Sequence, residues 1–201
     1  MNTNLFQGEH IRLVSEDPEV MAKAFSKWDR DSEYMRLLDS DPPILWSEKK
    51  IKQWIEKDMD GDQNSEFIFP IRTLDDDNLI GFVGLFEVSW NNGDAWIGIG
   101  LGERNYWGNG YGTDAMRVIL RYAFQELNLC RVTLGVFEYN KRAMRSYKKA
   151  GFSIEGRIRG EVLRQGRRWD TFIMGILREE WLELERKRAP SRSDVYDNNT
   201  A

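Results

Sequence analysis

Two stretches of the 201-residue chain carry residue types at spacings that can do chemistry. The first, from Ile97 to Thr113, reads IGIGLGERNYWGNGYGT: an apolar alternation, then Gly108, Gly110 and Gly112, then the start of an amphipathic run. Glycines at alternating positions let the main chain approach a bulky anion closely and aim several N–H groups at it. A helix that begins at the end of such a turn adds its positive N-terminal end. A diphosphate suits this geometry without any basic side chain. The second stretch, from Glu138 to Phe152, reads EYNKRAMRSYKKAGF. Asn140 stands where it can cap a helix. Tyr147 follows seven residues later, two helical turns on and on the same face. An amide and a phenol are thereby directed towards one site.

The context of the glycine turn narrows the choice of diphosphate. A Walker loop needs Gly-Lys-Ser/Thr at the helix start, and no lysine stands there. A dinucleotide fingerprint needs its glycines early in a strand-helix-strand unit, whereas this turn comes mid-chain with the wrong final glycine spacing. Nucleophilic catalysis through sulfur would need an activated thiolate. Cys130, the sole cysteine, begins a stretch read as a buried strand, and His10, the sole histidine, lies far off near the N-terminus. Both are read as structural. The lack of a His/Cys cluster gives no support to a metal site.

The elements that must position these groups are legible from periodicity and capping. Ile11, Leu13 and Val14 suggest a short strand, and Asp17-Pro18-Glu19 opens a helix expected to reach about Asp31. A second helix is expected over Ser32 to Leu38 and a third from the Ser47 cap through Lys57, with Ile51, Trp54 and Ile55 on one face. Strands are expected around Phe67 to Ile71, Leu79 to Trp90 and Ala95 to Leu101, joined by hairpin turns at Asp75–Asn78 and Asn91–Asp94. A helix over Thr113 to Leu127 follows, then a strand over Arg131 to Phe137. Asn140 to Ala150 forms the next helix, stopped by Gly151. A hairpin of Phe152 to Leu163 with Arg168 to Leu177 turns at Gln165-Gly166, and a charged helix starts at Arg178. Residues 1–189 read as a single domain, and residues 190–201 are polar enough to read as a disordered tail.

Composition bounds the partners. Lys and Arg number 29 against 33 Asp and Glu, a formal net charge of −4. That balance argues against a nucleic-acid partner, which usually needs a basic footprint. One cysteine allows no internal disulfide. With neither a signal-peptide pattern nor a membrane-length apolar run, a cytoplasmic protein without a membrane partner is expected.

Together the two motifs resemble the GNAT superfamily of N-acetyltransferases, and within it the ribosomal-protein/amine acetyltransferase branch. The closing stretch EGRIRGEVLRQGRRWDTFIMGILREEW, with Asp170 and Glu180-Trp181, resembles that branch's terminal hairpin and helix. The resemblance spans Leu79 to Trp181. It implies an α/β fold with a mixed, mostly antiparallel, strongly twisted central sheet flanked by helices. It also implies acetyl transfer from acetyl-CoA to a primary amine, either a small molecule or a protein N-terminus, by direct attack in a ternary complex. In that reading Trp107, Gly108, Asn109, Gly110, Tyr111, Gly112 and Thr113 hold the CoA pyrophosphate. Ile99, Gly100 and Leu101 hold the pantetheine arm along a strand edge, and Asn140 bonds that arm. Tyr147 gives a proton to the departing thiolate. The amine's proton would leave through a carboxylate, with Glu161 ahead of Asp94 and Glu103 as the candidate base, through a water chain, or by prior deprotonation in solution. The acceptor end would draw on Trp28, Tyr34, Trp46, Trp54 and Trp169, with Asp39 and Asp41.

Two positions depart from the superfamily pattern. Asn105 stands where Gln or Arg is usual, with Arg104 adjacent but out of register, and Trp96 stands where the branch often has Glu. These departures motivate an alternative, a non-catalytic CoA-binding module of the same fold. Terminal hairpins often build dimers in this superfamily, which leaves a homodimer open.

Overall fold

The first three helices in the computed structural model, which describes residues 4–59 and 65–188, start where side chains can take up the free N–H groups of a first turn. The tail expected over residues 190–201 lies outside the described residues. Asp17 accepts the N–H of Glu19 at 2.7 Å ahead of α1 (Pro18–Trp28). Asp31 accepts those of Glu33 and Tyr34 ahead of α2 (Ser32–Leu38). Ser47 Oγ accepts that of Lys50, at 3.3 Å, ahead of α3 (Glu48–Met59). The first helix stops at Trp28 rather than Asp31 because Asp31 is committed to capping the second.

Seven strands form one sheet: β1 (Ile11–Leu13), β2 (Phe67–Thr73), β3 (Leu79–Ser89), β4 (Asp94–Leu101), β5 (Arg131–Phe137), β6 (Ser153–Arg164) and β7 (Arg167–Leu177). Their order is β1-β2-β3-β4-β5-β7-β6, and every neighbouring pair is antiparallel except β4 with β5. This is the mixed, mostly antiparallel sheet that the resemblance implied. The β6–β7 turn holds Gln165 and Gly166 at φ 54° and 72°, as a tight two-residue hairpin connection requires.

Three further helices, α4 (Tyr111–Arg121), α5 (Lys141–Ala150) and α6 (Arg178–Arg188), complete the chain. Ala115, Val118 and Ile119 of α4 are buried in one core with Val83, Leu85, Val132, Leu134 and Ile176 of the sheet. The opposite face carries α1 and α2. Phe25 packs on Phe82 with ring centroids 5.5 Å apart. Trp28 lies so close over Gly102 that a Cβ there would stand 2.0 Å from the indole. Removing side chains at Gly100 and Gly102 is what lets these two helices reach the end of β4.

Two further expectations need correction. The helix expected over Thr113–Leu127 starts at Tyr111 and passes at Tyr122 into a wider turn, with the Leu127 N–H bonded to Tyr122 O at 3.1 Å. The extra residue keeps Tyr122 against Phe67 and Phe69 (centroids 5.8 and 5.3 Å) while Phe124 stays buried. A period of 3.6 does not announce such an insertion. Cys130 is exposed and sits just ahead of β5 rather than starting a buried strand.

Candidate active site

The parallel pair β4 and β5 is joined only over Asp94–Trp96 and Arg131–Thr133. Beyond that, β4 stays on β3 as far as Leu101 and β5 stays on β7 as far as Phe137, so the two strands part and open a gap. The N–H of Gly102 donates to Ile80 O at 2.9 Å, towards β3. Alternation along an antiparallel strand then turns the amides of Gly98 and Gly100 the same way, and those of Ile97, Ile99 and Leu101 into the gap. The carbonyl of Leu101 accepts Trp107 Nε1 at 2.7 Å, which ties the glycine turn to the end of β4. Of the three residues expected to hold a pantetheine arm, Ile99 and Leu101 thus present main chain to the gap. Gly100 sends its amide to β3.

The turn itself fits an anion. Gly108 and Gly110 have φ of +81° and +96°, conformations that disfavour any side chain. A Cβ at Gly108 would meet nothing within 4 Å, and one at Gly110 only His10 Cδ2, at 3.9 Å. Asp114 is the first residue of α4 whose N–H bonds back, to Gly110 O at 2.9 Å. The N–H groups of Tyr111, Gly112 and Thr113 are the free donors of a helix start. Among the described residues, those of Gly108, Asn109 and Gly110 have no partner either. Asn109 Nδ2 and Asn105 O close the turn at 3.0 Å. Thr113 Oγ1 lies 2.8 Å from Ser146 Oγ, joining α4 to α5.

Arg104 lies 5.1 Å over the Trp107 ring, but its charge is taken up by acids. It pairs with Asp31 and Glu33 and holds the Asp31 carboxyl down to about 2. Among the described residues, the cations that line the cleft are Arg142, Arg145 and Lys149 of α5. Arg142 stacks 3.7 Å over the Trp107 ring. Its position inside the second motif was the available signal, and nothing in the sequence told it apart from its basic neighbours.

The sequence reading placed His10 far from the site, and the structure does not. Its ring lies 5.7 Å from that of Tyr111. The cause is Asp114, buried at 4% exposure, whose carboxylate accepts the N–H groups of Glu9, His10 and Ile11 at 3.1, 2.8 and 3.2 Å. Gly8 leaves room for that carboxylate, since a Cβ there would stand 2.3 Å from it. From sequence, an acid in a first helical turn reads as a dipole partner. Only the fold reveals that it anchors a segment more than a hundred residues away.

Asn140 and Tyr147 do come to one site. Both line a cleft of about 1440 Å³ that also includes the glycine turn, larger than the roughly 300–1,000 Å³ of a typical single-ligand pocket. Asn140 Oδ1 caps α5 through the Ala143 N–H at 3.1 Å, and its Nδ2 reaches Leu37 O at 3.4 Å. Gly151 ends the helix at φ +118°. The Tyr147 hydroxyl has no hydrogen-bond partner among the described residues, and burial pushes its pKa up to about 12 against the opposing charge of Arg142.

None of the three carboxylates expected as bases lines the cleft. Glu161 is exposed on β6. Asp94 sits at the closed end, where β4 and β5 still pair. Glu103 accepts Lys27 Nζ at 2.5 Å and Trp28 Nε1 at 2.9 Å. Burial lifts the Glu103 pKa, but those two bonds and the lysine charge outweigh it and hold it below the usual value. Among the described residues, the acids that do line the cleft are Glu16, Asp39 and Glu66. Of the expected acceptor residues, Tyr34, Trp54 and Asp39 line it. Trp28 is buried under α1, Trp46 is covered by Lys50, and Trp169 stacks with Arg167 beside Tyr139. Asp41 is exposed outside the lining.

Comparison with known families decides the class. Residues 11–153 match the family model of the acetyltransferase (GNAT) domain. The chain belongs to the GNAT acetyltransferase family. Membership makes this GNAT protein an acetyl-CoA-dependent acyltransferase. It is 28% identical over 181 residues to an uncharacterized N-acetyltransferase derived from the SPbeta prophage of Bacillus subtilis, covering 90% of this chain and 97% of the relative. It is 38% identical over 117 residues to a probable N-acetyltransferase of the same organism, covering 58% and 64%. Among solved structures, a chimera of the spermidine N-acetyltransferase from Vibrio cholerae and hSSAT superposes with a TM-score of 0.73 at 25% identity, over 86% of this chain and 98% of that one. An acetyltransferase from Bacillus anthracis shares the fold with a TM-score of 0.71 at 21% identity, over 87% and 98%. No helix among the described residues is long and apolar enough to cross a membrane.

Proposed function

We propose that the chain transfers the acetyl group of acetyl-CoA to a primary amine by direct attack, with both substrates bound together. The parting of β4 from β5 carries this reading, because it opens a strand edge between the glycine turn and Tyr147. The N–H groups of residues 108–113 would hold the diphosphate, with Arg142 on its Trp107 platform as the nearby cation. The edges of Ile99 and Leu101 would align the pantetheine arm, and an N–H pointing into the gap would polarise the thioester carbonyl. Nitrogen attacks the carbonyl carbon, the C–N bond forms, and the C–S bond breaks.

Tyr147 supplies the proton that the thiolate takes up. A phenol held near 12 stays protonated throughout the neutral range. The apolar surroundings that raise it also make a departing thiolate more basic, which preserves the driving force for transfer. The amine's lost proton makes good the one Tyr147 gives up, so a proton passes in net from nitrogen to sulfur. Glu16 is paired with Arg72 at 2.7 Å, and Asp39 and Glu66 are exposed, so no free acid faces the inner cleft among the described residues. The amine therefore reacts as its free base. Thiol release from acetyl-CoA over a panel of amines tests the proposal: turnover that falls sharply in Tyr147→Phe supports it. Tight CoA binding with no turnover on any amine supports the non-catalytic alternative instead.

A further inference from the structure

Resting on that acetyl-transfer reading, we infer that the acceptor is a single primary amine carried on an apolar, ring-sized body, and not a polyamine. The cleft continues from the reacting end onto the face of the sheet that α1 and α2 cover, with α3 packed against α1. Its lining there is Phe25, Trp54, Ile55, Ile68, Phe82 and Phe86. Glycines shape this floor. A Cβ at Gly98 would come within 3.2 Å of the Phe86 ring, and one at Gly100 within 2.7 Å of both the Phe82 ring and the Tyr34 hydroxyl. The aromatic rings therefore lie down on bare main chain, and this part of the lining is largely apolar.

Its charges decide between amine classes. Three carboxylates line the cleft among the described residues, and the one that is screened from solvent, Glu16, is already paired with Arg72. Asp39 and Glu66 are exposed, where they can draw a cationic amine towards the mouth but cannot follow it inside. The cleft's cations, Arg142, Arg145 and Lys149, all belong to α5 at the glycine-turn side. Seated past Asp39 and Glu66, a second ammonium would meet no unpaired carboxylate among the described residues, and burying it so is costly. Ring faces attract a cation only modestly by comparison. An amine with one nitrogen and a hydrophobic body meets neither penalty and covers the apolar wall. Tyr34, whose hydroxyl lies beside Gly100 in the cleft's lining, can accept an N–H from that nitrogen.

The test is kcat/KM by thiol release for 2-phenylethylamine, a dipeptide amide with an N-terminal Phe, ethylamine and spermidine. The two Phe-type amines share the inferred chemistry, and the ratio between them separates a free amine from a chain terminus. Both are expected to exceed ethylamine and spermidine by ~100-fold or more, since single methylenes in apolar pockets are worth 10-fold and upward. Phe86→Ala is expected to shrink the phenylethylamine-to-ethylamine ratio about tenfold at unchanged CoA affinity. Trp54→Ala, on a half-exposed residue, repeats that test if the first variant folds poorly. Spermidine or ethylamine turned over as well as the Phe-type amines overturns this inference and leaves acetyl transfer standing. No turnover on any of the four overturns both.

Discussion

Replacing Gly110 by alanine separates a cradle built for phosphate from a turn that merely needs glycine. Gly110 has φ +96°, and a Cβ there would meet only His10 Cδ2, at 3.9 Å. The folded protein accommodates the methyl group, so the cost to stability is the left-handed backbone, about 1–2 kcal/mol. For a chain of this size that lowers Tm by roughly 2–8 °C. Binding suffers far more. A methyl group between the main chain and the anion would move it off about two N–H groups, at ~1.5–3 kcal/mol for each charge-assisted bond. CoA affinity then falls roughly 10²- to 10⁴-fold. Gly166 provides a matched control, with φ +72° in the β6–β7 turn and nothing within 4 Å of its Cβ position. Gly166→Ala is expected to lower Tm comparably and leave CoA affinity intact. Scanning calorimetry gives the first quantity and titration calorimetry with CoA the second. Equal Tm losses with wild-type CoA affinity in both variants would refute the cradle.

Tyr147→Phe is expected to lower kcat by ~10²–10⁴-fold, the range for a lost general acid, with the Kd for CoA within a few-fold of wild type. The pH profile of kcat/KM should rise with the free-base fraction of the acceptor amine and shift when an amine of different pKa is used. Glu161→Gln should leave that profile unchanged. The raised Tyr147 pKa has no effect on stability while tyrosine is protonated in both folded and unfolded chains. Between about 10 and about 12 the unfolded chain sheds this proton first, so the stability difference between wild type and Tyr147→Phe should shift against wild type as pH rises through that window. Asp114→Ala removes the acceptor of three N–H groups and should cost about 3 kcal/mol or more, seen as a lower urea midpoint at unchanged slope.

Local chemistry made most of the fold legible. Asp17, Ser47, Asn140 and Gly151 announce helix ends because each has a short-range partner, and Gln165-Gly166 announces a hairpin for the same reason. The glycine turn and the Asn140–Tyr147 pair were legible because a helix fixes the direction of residues seven apart. What could not be read depends on partners distant in sequence. Glu103 looks like a free acid beside the turn until Lys27 and Trp28 arrive from α1. Asp114 and His10 meet only because β1 lies along α4. The gap between β4 and β5 is invisible in either strand alone, because both stay paired on their outer sides past the point where they part.

A crystal structure of the protein soaked with CoA tests the central claim most directly. Diphosphate oxygens within hydrogen-bonding distance of the main-chain N–H groups of residues 108–113, with the sulfur in the gap between Ile99 and Tyr147, is the predicted result. CoA bound elsewhere, with that loop and the β4–β5 gap left to solvent, would contradict it.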